Sequence, residues 1–201
     1  MSLGNELELC GVALTTPILS HESHANKFYA FILAVKRLSD AEDHINVLAG
    51  EQVLEDAPVA PGAEIRVIGE IRSFNNKRAE YNRLKISAWA KTIEDWAGEA
   101  RNRIRLSGQI WKPPTFRLTP YGREITDIML CVERRATPAD RPRRDFIPCI
   151  AWGATARACA AMREREKLTF DGRLQSRKYI KLIDDESFER TAYEVSITSV
   201  L

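Results

Sequence analysis

The residues of this chain best suited to chemistry are rings and cations, not nucleophiles. Phe146, Pro148, Ile150 and Trp152 alternate with Ile147, Cys149 and Ala151, so both faces of the strand they predict are apolar. A small closed sheet has only one inside. The outer face is then either covered by another element or left open as a binding platform. Basic residues surround it: Arg134 and Arg135 before it, Arg141, Arg143 and Arg144 in a proline-containing loop, and Arg173, Arg177 and Lys178 along a segment ending at Tyr179. Rings interleaved with cations suit a single nucleic-acid strand. Bases stack on rings for about 1–3 kcal/mol each, and cations track the phosphates. A solvated basic face is the competing reading of any single arginine.

Other constellations carry less. His21 and His24 could offer two imidazoles to a metal, but no third ligand lies close in sequence, so solvated loop histidines are the expectation. Asp184, Asp185 and Glu186 could form a nuclease's divalent-metal cluster, yet they sit between two strand patterns like a hairpin tip. No GxSxG, P-loop or GxGxxG occurs, so no catalytic residue, cofactor or metal is expected. Cys10, Cys131, Cys149 and Cys159 form no CxxC pair and read as buried free thiols in a reducing compartment.

The elements that must position these residues come in two copies. Asn5-Glu-Leu-Glu-Leu-Cys-Gly11 resembles Asn102-Arg-Ile-Arg-Leu-Ser-Gly108, an offset of 97. The register holds to Ser39 with seven identities in 35 pairs, where common residue usage would give roughly two. The identities include Pro17/Pro114, Leu33/Leu130 and Arg37/Arg134. Beyond an insertion, Asp43, Ile45 and Ala49 match Asp145, Ile147 and Ala151, and Gly69 and Ser73 match Gly172 and Ser176. Two tandem domains, 1–95 and 101–201, are predicted, with the boundary in Asp95–Arg101. The copies differ in charge. Residues 1–100 hold 10 basic and 15 acidic side chains, a net −5; residues 101–201 hold 20 and 13, a net +7.

At 44% hydrophobic and 29% charged, the 201-residue chain can bury a core. It has no apolar run long enough to span a membrane and no signal-like start, so a soluble cytoplasmic protein is expected. In the second copy the alternation of Ile104, Leu106, Gly108 and Ile110 predicts a strand, with a bulge or bend at Gly108. Strands follow around Ile128–Val132, at Asp145–Trp152, Lys167–Lys178 and Thr191–Leu201, with a helix over Ala154–Glu166. The first copy repeats the plan, its helix slot Glu51–Ala60 cut short by Pro58 and Pro61. Three strands, a helix and two strands match the five-stranded OB barrel. The predicted fold is therefore all-β with one short helix per repeat, two OB barrels in tandem.

Asn102–Gly108, Arg117-Leu-Thr-Pro-Tyr-Gly122, Asp145-Phe-Ile-Pro-Cys-Ile-Ala-Trp152 and Asp171-Gly-Arg-Leu-Gln-Ser-Arg-Lys-Tyr179 together resemble the bacterial single-stranded DNA-binding proteins. The resemblance covers nearly all of residues 102–201; the first copy shares only its framework. It implies sequence-tolerant binding of single-stranded DNA, with RNA left open. Stacking rings would fall at Phe146, Trp152 and Tyr179, with Trp111 as an added ring and a family ring position falling on Ala136. Phosphate contacts would fall to Arg134, Arg135, Arg173, Arg177 and Lys178. The family uses four folds together, so two per chain imply a homodimer. Its acidic recruitment tail has no counterpart before Leu201. At the ring positions the first copy has His44, Gly50 and Asn76, so the second copy is expected to carry most of the affinity. Two rivals stand beside this reading: an assembly protein like the family's primosome-type relatives, and a nuclease using the acidic triplet.

Overall fold

The computed structural model describes residues 4–39, 41–75, 84–134, 142–183 and 186–201; the side chains of 179, 181–183, 186, 188 and 190 also lie outside the description. The first half runs β1 (Asn5–Ala13), β2 (Ile18–Ser23), β3 (Asn26–Lys36), β4 (Glu42–Gly50), α1 (Glu51–Asp56), β5 (Glu64–Asn75) and β6 (Leu84–Asp95). The second repeats it as β7 (Arg101–Ile110), β8 (Thr115–Leu118), β9 (Glu124–Arg134), β10 (Arg143–Trp152), α2 (Gly153–Ala160), β11 (Lys167–Ile183) and β12 (Glu186–Val200).

In each half five strands close on themselves. β1 pairs with both β3 and β5, and β7 with both β9 and β11; the ring is completed by the parallel contacts β4–β6 and β10–β12. This is the OB arrangement, with a sixth strand, β2 or β8, added outside the ring. The sixth strand was not predicted. Its residues are almost all exposed, and the alternation in β8, Thr115-Phe116-Arg117-Leu118, is only four residues long.

Closure is tight where the repeat keeps glycine. A Cβ on Gly11 would lie 2.1 Å from the Ala34 carbonyl oxygen, and on Gly69 2.0 Å from that of Trp89; Gly108 and Gly172 meet the same crowding. The bulges, however, fall at Gly69 and Gly172 and not at Gly108, which lies where β7 passes from β11 to β9. α2 ends at Ala160, earlier than predicted, and Arg165 takes a positive φ of 69° in the turn that leads into β11. Leu9, Leu33, Ile45, Val67 and Ala88 fill the first ring; Leu106, Leu130, Ile147, Phe170 and Val195 fill the second. All four cysteines are free and buried.

The halves join reciprocally, Asn5 opposite Leu106 as Leu9 is opposite Asn102. β1 and β7 pair antiparallel from Asn5↔Leu106 to Cys10↔Arg101, which makes one continuous sheet of twelve strands. On this seam Glu8 accepts from Arg66 and Arg101. Burial raises its carboxyl pKa, but the two guanidiniums outweigh that and hold it below the ordinary value. A second set of contacts uses the polar identities of the repeat. Asp43 accepts from the Ser176 N–H at 2.7 Å, and Ser176 Oγ accepts from the His44 N–H. Reciprocally, Asp145 accepts from the Ser73 N–H at 2.8 Å, and Ser73 Oγ accepts from the Phe146 N–H. Arg37 caps Asp43, and Arg134 caps Asp145. Both carboxylates are buried, so each needs its arginine.

Candidate nucleic-acid interface

β10 carries rings at both ends of its outer face. Phe146, Pro148, Ile150 and Trp152 share that face by strand alternation, while Ile147, Cys149 and Ala151 are in the core. Phe146 is half-buried and meets Trp111 edge-on, centroids 5.0 Å apart. Trp111 itself is 43% exposed. Six residues along the strand, about 20 Å away at the usual rise, Trp152 is 39% exposed. The outer face is thus covered in its middle, where Ile150 is buried, and open at its ends.

Trp152 borders a groove of about 310 Å³ between the halves. Arg117 of β8, Arg177 and Gln175 of β11, Glu194 of β12 and Arg37 of the first half line it. Arg117 is half-spent on Asp127 at 2.6 Å, and Arg37 on Asp43. Arg177 is exposed and makes no ion pair with any described residue. Burial raises the pKa of Glu194 above its ordinary value; Arg177, Arg117 and Arg37 pull it back and Asp127 adds to the rise.

The other residues singled out from sequence are placed as follows. Arg134 belongs to the contact between halves, its Nε 2.5 Å from Asp145 and its side chain 24% exposed. Arg173 lies on the Gln175 face of β11, half-buried, with its Nε unpaired among the described residues. Lys178 points to the opposite face from Arg177 and pairs with Glu189 at 2.8 Å. Arg135, the acidic pair Asp184–Asp185, and the side chains of Tyr179 and Glu186 lie outside the described residues, as do Ala136 and Asn76. Sequence reasoning did not single out Arg117, Gln175 or Glu194 as contacts, although Arg117 and Gln175 lie within the motifs that carry the family resemblance; Arg37 is one of the identities of the repeat.

In the first half the equivalent groove is filled. The pair Ile125↔Trp152 of the second half corresponds to Phe28↔Gly50, so the ring has moved to the neighbouring strand. Trp89 stands where the second half has Ser196, beside Leu48 as Ser196 is beside Ile150. Trp89 packs on Phe28 at 4.7 Å, His21 stacks on Phe28 at 5.0 Å, and the Arg72 guanidinium lies 3.6 Å from the Trp89 centroid. Arg72 and Lys91 both pair with the buried Glu70.

Comparison with known proteins now decides the family. The model of the single-strand binding protein family matches residues 101–201, half of the chain. The chain belongs to that family. Among curated relatives, the single-stranded DNA-binding protein of Clostridium tetani is 36% identical over 80 residues, 39% of this chain and 55% of that one. Single-stranded DNA-binding protein A of Bacillus subtilis is 38% identical over 80 residues, 39% and 46% of the two chains. The chain spans about half the length of the curated relatives it matches. The crystal structure of the single-stranded DNA binding protein from Thermus aquaticus superposes with a TM-score of 0.76 at 19% identity, covering 98% of this chain and 91% of that one. At that identity the likeness is one of fold, and it extends over both halves.

Proposed function

We propose that this chain binds single-stranded DNA with little regard to sequence, to protect and organise exposed strands during replication, repair or recombination. The observation that carries this is the groove of the second half: an exposed indole, Trp152, beside two partly paired arginines and one, Arg177, without an ion pair among the described residues. An indole offers every base a π-face, and the guanidiniums offer charge to the backbone. Trp111 and Phe146 extend the track along β10. No step of catalysis is needed for this role. Two folds already meet within one chain through β1 and β7, and a homodimer would bring four together. Titration with oligo-dT tests the reading: quenching of the indole fluorescence and a salt-sensitive affinity are expected. An unquenched, salt-insensitive protein would favour the assembly role instead. Solution mass measured in the same samples tests the dimer.

A further inference from the structure

The groove beside Trp152 contains more than a stacking ring and phosphate-binding cations. Gln175 and Glu194 face each other across the β11–β12 pair and both line the groove. Directly opposed residues hold their Cβ atoms about 4.5–5.5 Å apart, so the amide and the carboxylate sit side by side. Neither makes a hydrogen bond or an ion pair with another described side chain; for Glu194 the neighbouring arginines act through charge alone. Their polar atoms stay open to solvent on the wall of a groove that Ile125 and Ile150 also line, so a ligand entering the groove can reach both at once. The first half has no counterpart. There the positions of Gln175 and Glu194 are Arg72 and Ser87, and Trp89 fills the space.

We infer that this groove holds one nucleotide of the bound strand with its base turned in, and that Gln175 and Glu194 read the base's edge in favour of cytosine or adenine. The inference rests on the single-stranded DNA reading and deepens it. An ionised carboxylate only accepts hydrogen bonds, and the amide NH₂ next to it donates. The matching edge places an exocyclic amino donor beside a ring-nitrogen acceptor. Cytosine has this in N4–H₂ and N3, and adenine in N6–H₂ and N1. Thymine presents a carbonyl oxygen where the donor should be, and its O4 would face the carboxylate. Trp152 stacks on the base or its neighbour, and Arg37, Arg117 and Arg177 lie within the same groove for the flanking phosphates. A strand bound elsewhere by stacking alone thereby acquires a preference at one position.

The test is the affinity of short homo-oligomers of dC and dT for the whole chain and for its Glu194→Gln variant, with melting temperature followed throughout. The expected result is a change in the ratio of the two affinities. In Glu194→Gln, dT binding tightens because a negative charge has left the groove and an amide can meet O4. dC gains less, so its advantage relative to dT falls by about five- to ten-fold, the low end for one good base contact. Gln175→Leu should reduce the same ratio by removing the amide donor, and it serves if Glu194→Gln lowers the melting temperature. A ratio unchanged in both variants, with both oligomers bound, overturns the base-reading site and leaves the single-stranded DNA reading standing. Failure of both oligomers to bind overturns both readings.

Discussion

The two halves close the same ring with the same glycines and lock to each other with the same Asp, Ser and Arg, yet they treat the groove beside β4 and β10 in opposite ways. In the second half the groove is open, rimmed by an exposed indole and lined by arginines. In the first it is packed with Phe28 and Trp89, and both rings are capped, by His21 and Arg72. The difference shows that a fold can be conserved by its framework while a site is turned into structure by moving one ring across a strand pair. It also gives the charge asymmetry a location: the basic half is the half whose groove is open.

The largest expected effects lie in what the halves share. Asp145→Ala should cost about 3–5 kcal/mol of stability, because Arg134 would be left partly buried without its carboxylate and the Ser73 N–H would lose its acceptor. Asp43→Ala should cost a similar amount through Arg37 and Ser176. Chemical denaturation measures both. Strongly unequal losses would show that the reciprocal relation is geometric only and that one lock carries the joint.

Next come the rings that differ. Trp152→Ala should lower oligo-dT affinity by about 1–3 kcal/mol, five-fold to a hundred-fold, with little change in melting temperature, since the ring is exposed. Trp89→Ala should do the reverse, with DNA affinity nearly kept and about 3 kcal/mol of stability lost, since Phe28 and Arg72 pack against that ring. Equal loss of affinity in the two variants would break the contrast and make the filled groove a second platform.

Salt should divide the halves in the same way. The logarithmic salt slope for single strands is about −0.7 per phosphate contacted. Arg177→Ala should therefore make the slope shallower by about 0.7, whereas Arg72→Ala, whose guanidinium is engaged by Glu70 and Trp89, should leave it as it was. A common change in both would place phosphates on the first half as well.

These contrasts show where sequence reading reached and where it stopped. The repeat and the order of the ring strands were legible because burial imposes a period of two, but β10 is apolar on both faces and its core face was not. The repeat's identities were legible too, but not their purpose. Asp43/Asp145 and Ser73/Ser176 look like ordinary sheet residues until the halves meet, and Arg134, which reads as a phosphate contact, is seated on Asp145. The way the first half closes its groove was illegible for a related reason. Comparing Gly50 with Trp152 position by position suggests a lost ring, whereas Phe28, opposite Gly50 in the register, occupies the place. Pairing across strands is invisible to an alignment along the chain. The sixth strands are short and solvated on both faces, so neither Ile18 and Leu19 nor Phe116 and Leu118 mark a buried face.

The smallest expected effect is a pH dependence confined to the open groove. Burial lifts the carboxyl of Glu194 above its ordinary value of 4.5, with Arg177, Arg117 and Arg37 opposing and Asp127 reinforcing the shift. The sign follows from linkage. A carboxyl whose folded pKa is raised binds its proton more readily in the folded state. Its contribution to stability is full below 4.5 and is lost as pH rises through the higher folded value. Binding has the same direction. The ionised carboxylate repels phosphate, so oligo-dT should bind more tightly as pH falls from neutrality into the window just above 4.5. Glu194→Gln removes the groove's titration. The slope of log affinity against pH should be shallower in the variant than in the parent over that window. Parallel slopes would show that Glu194 does not set the pH response and would break its assignment to the open groove.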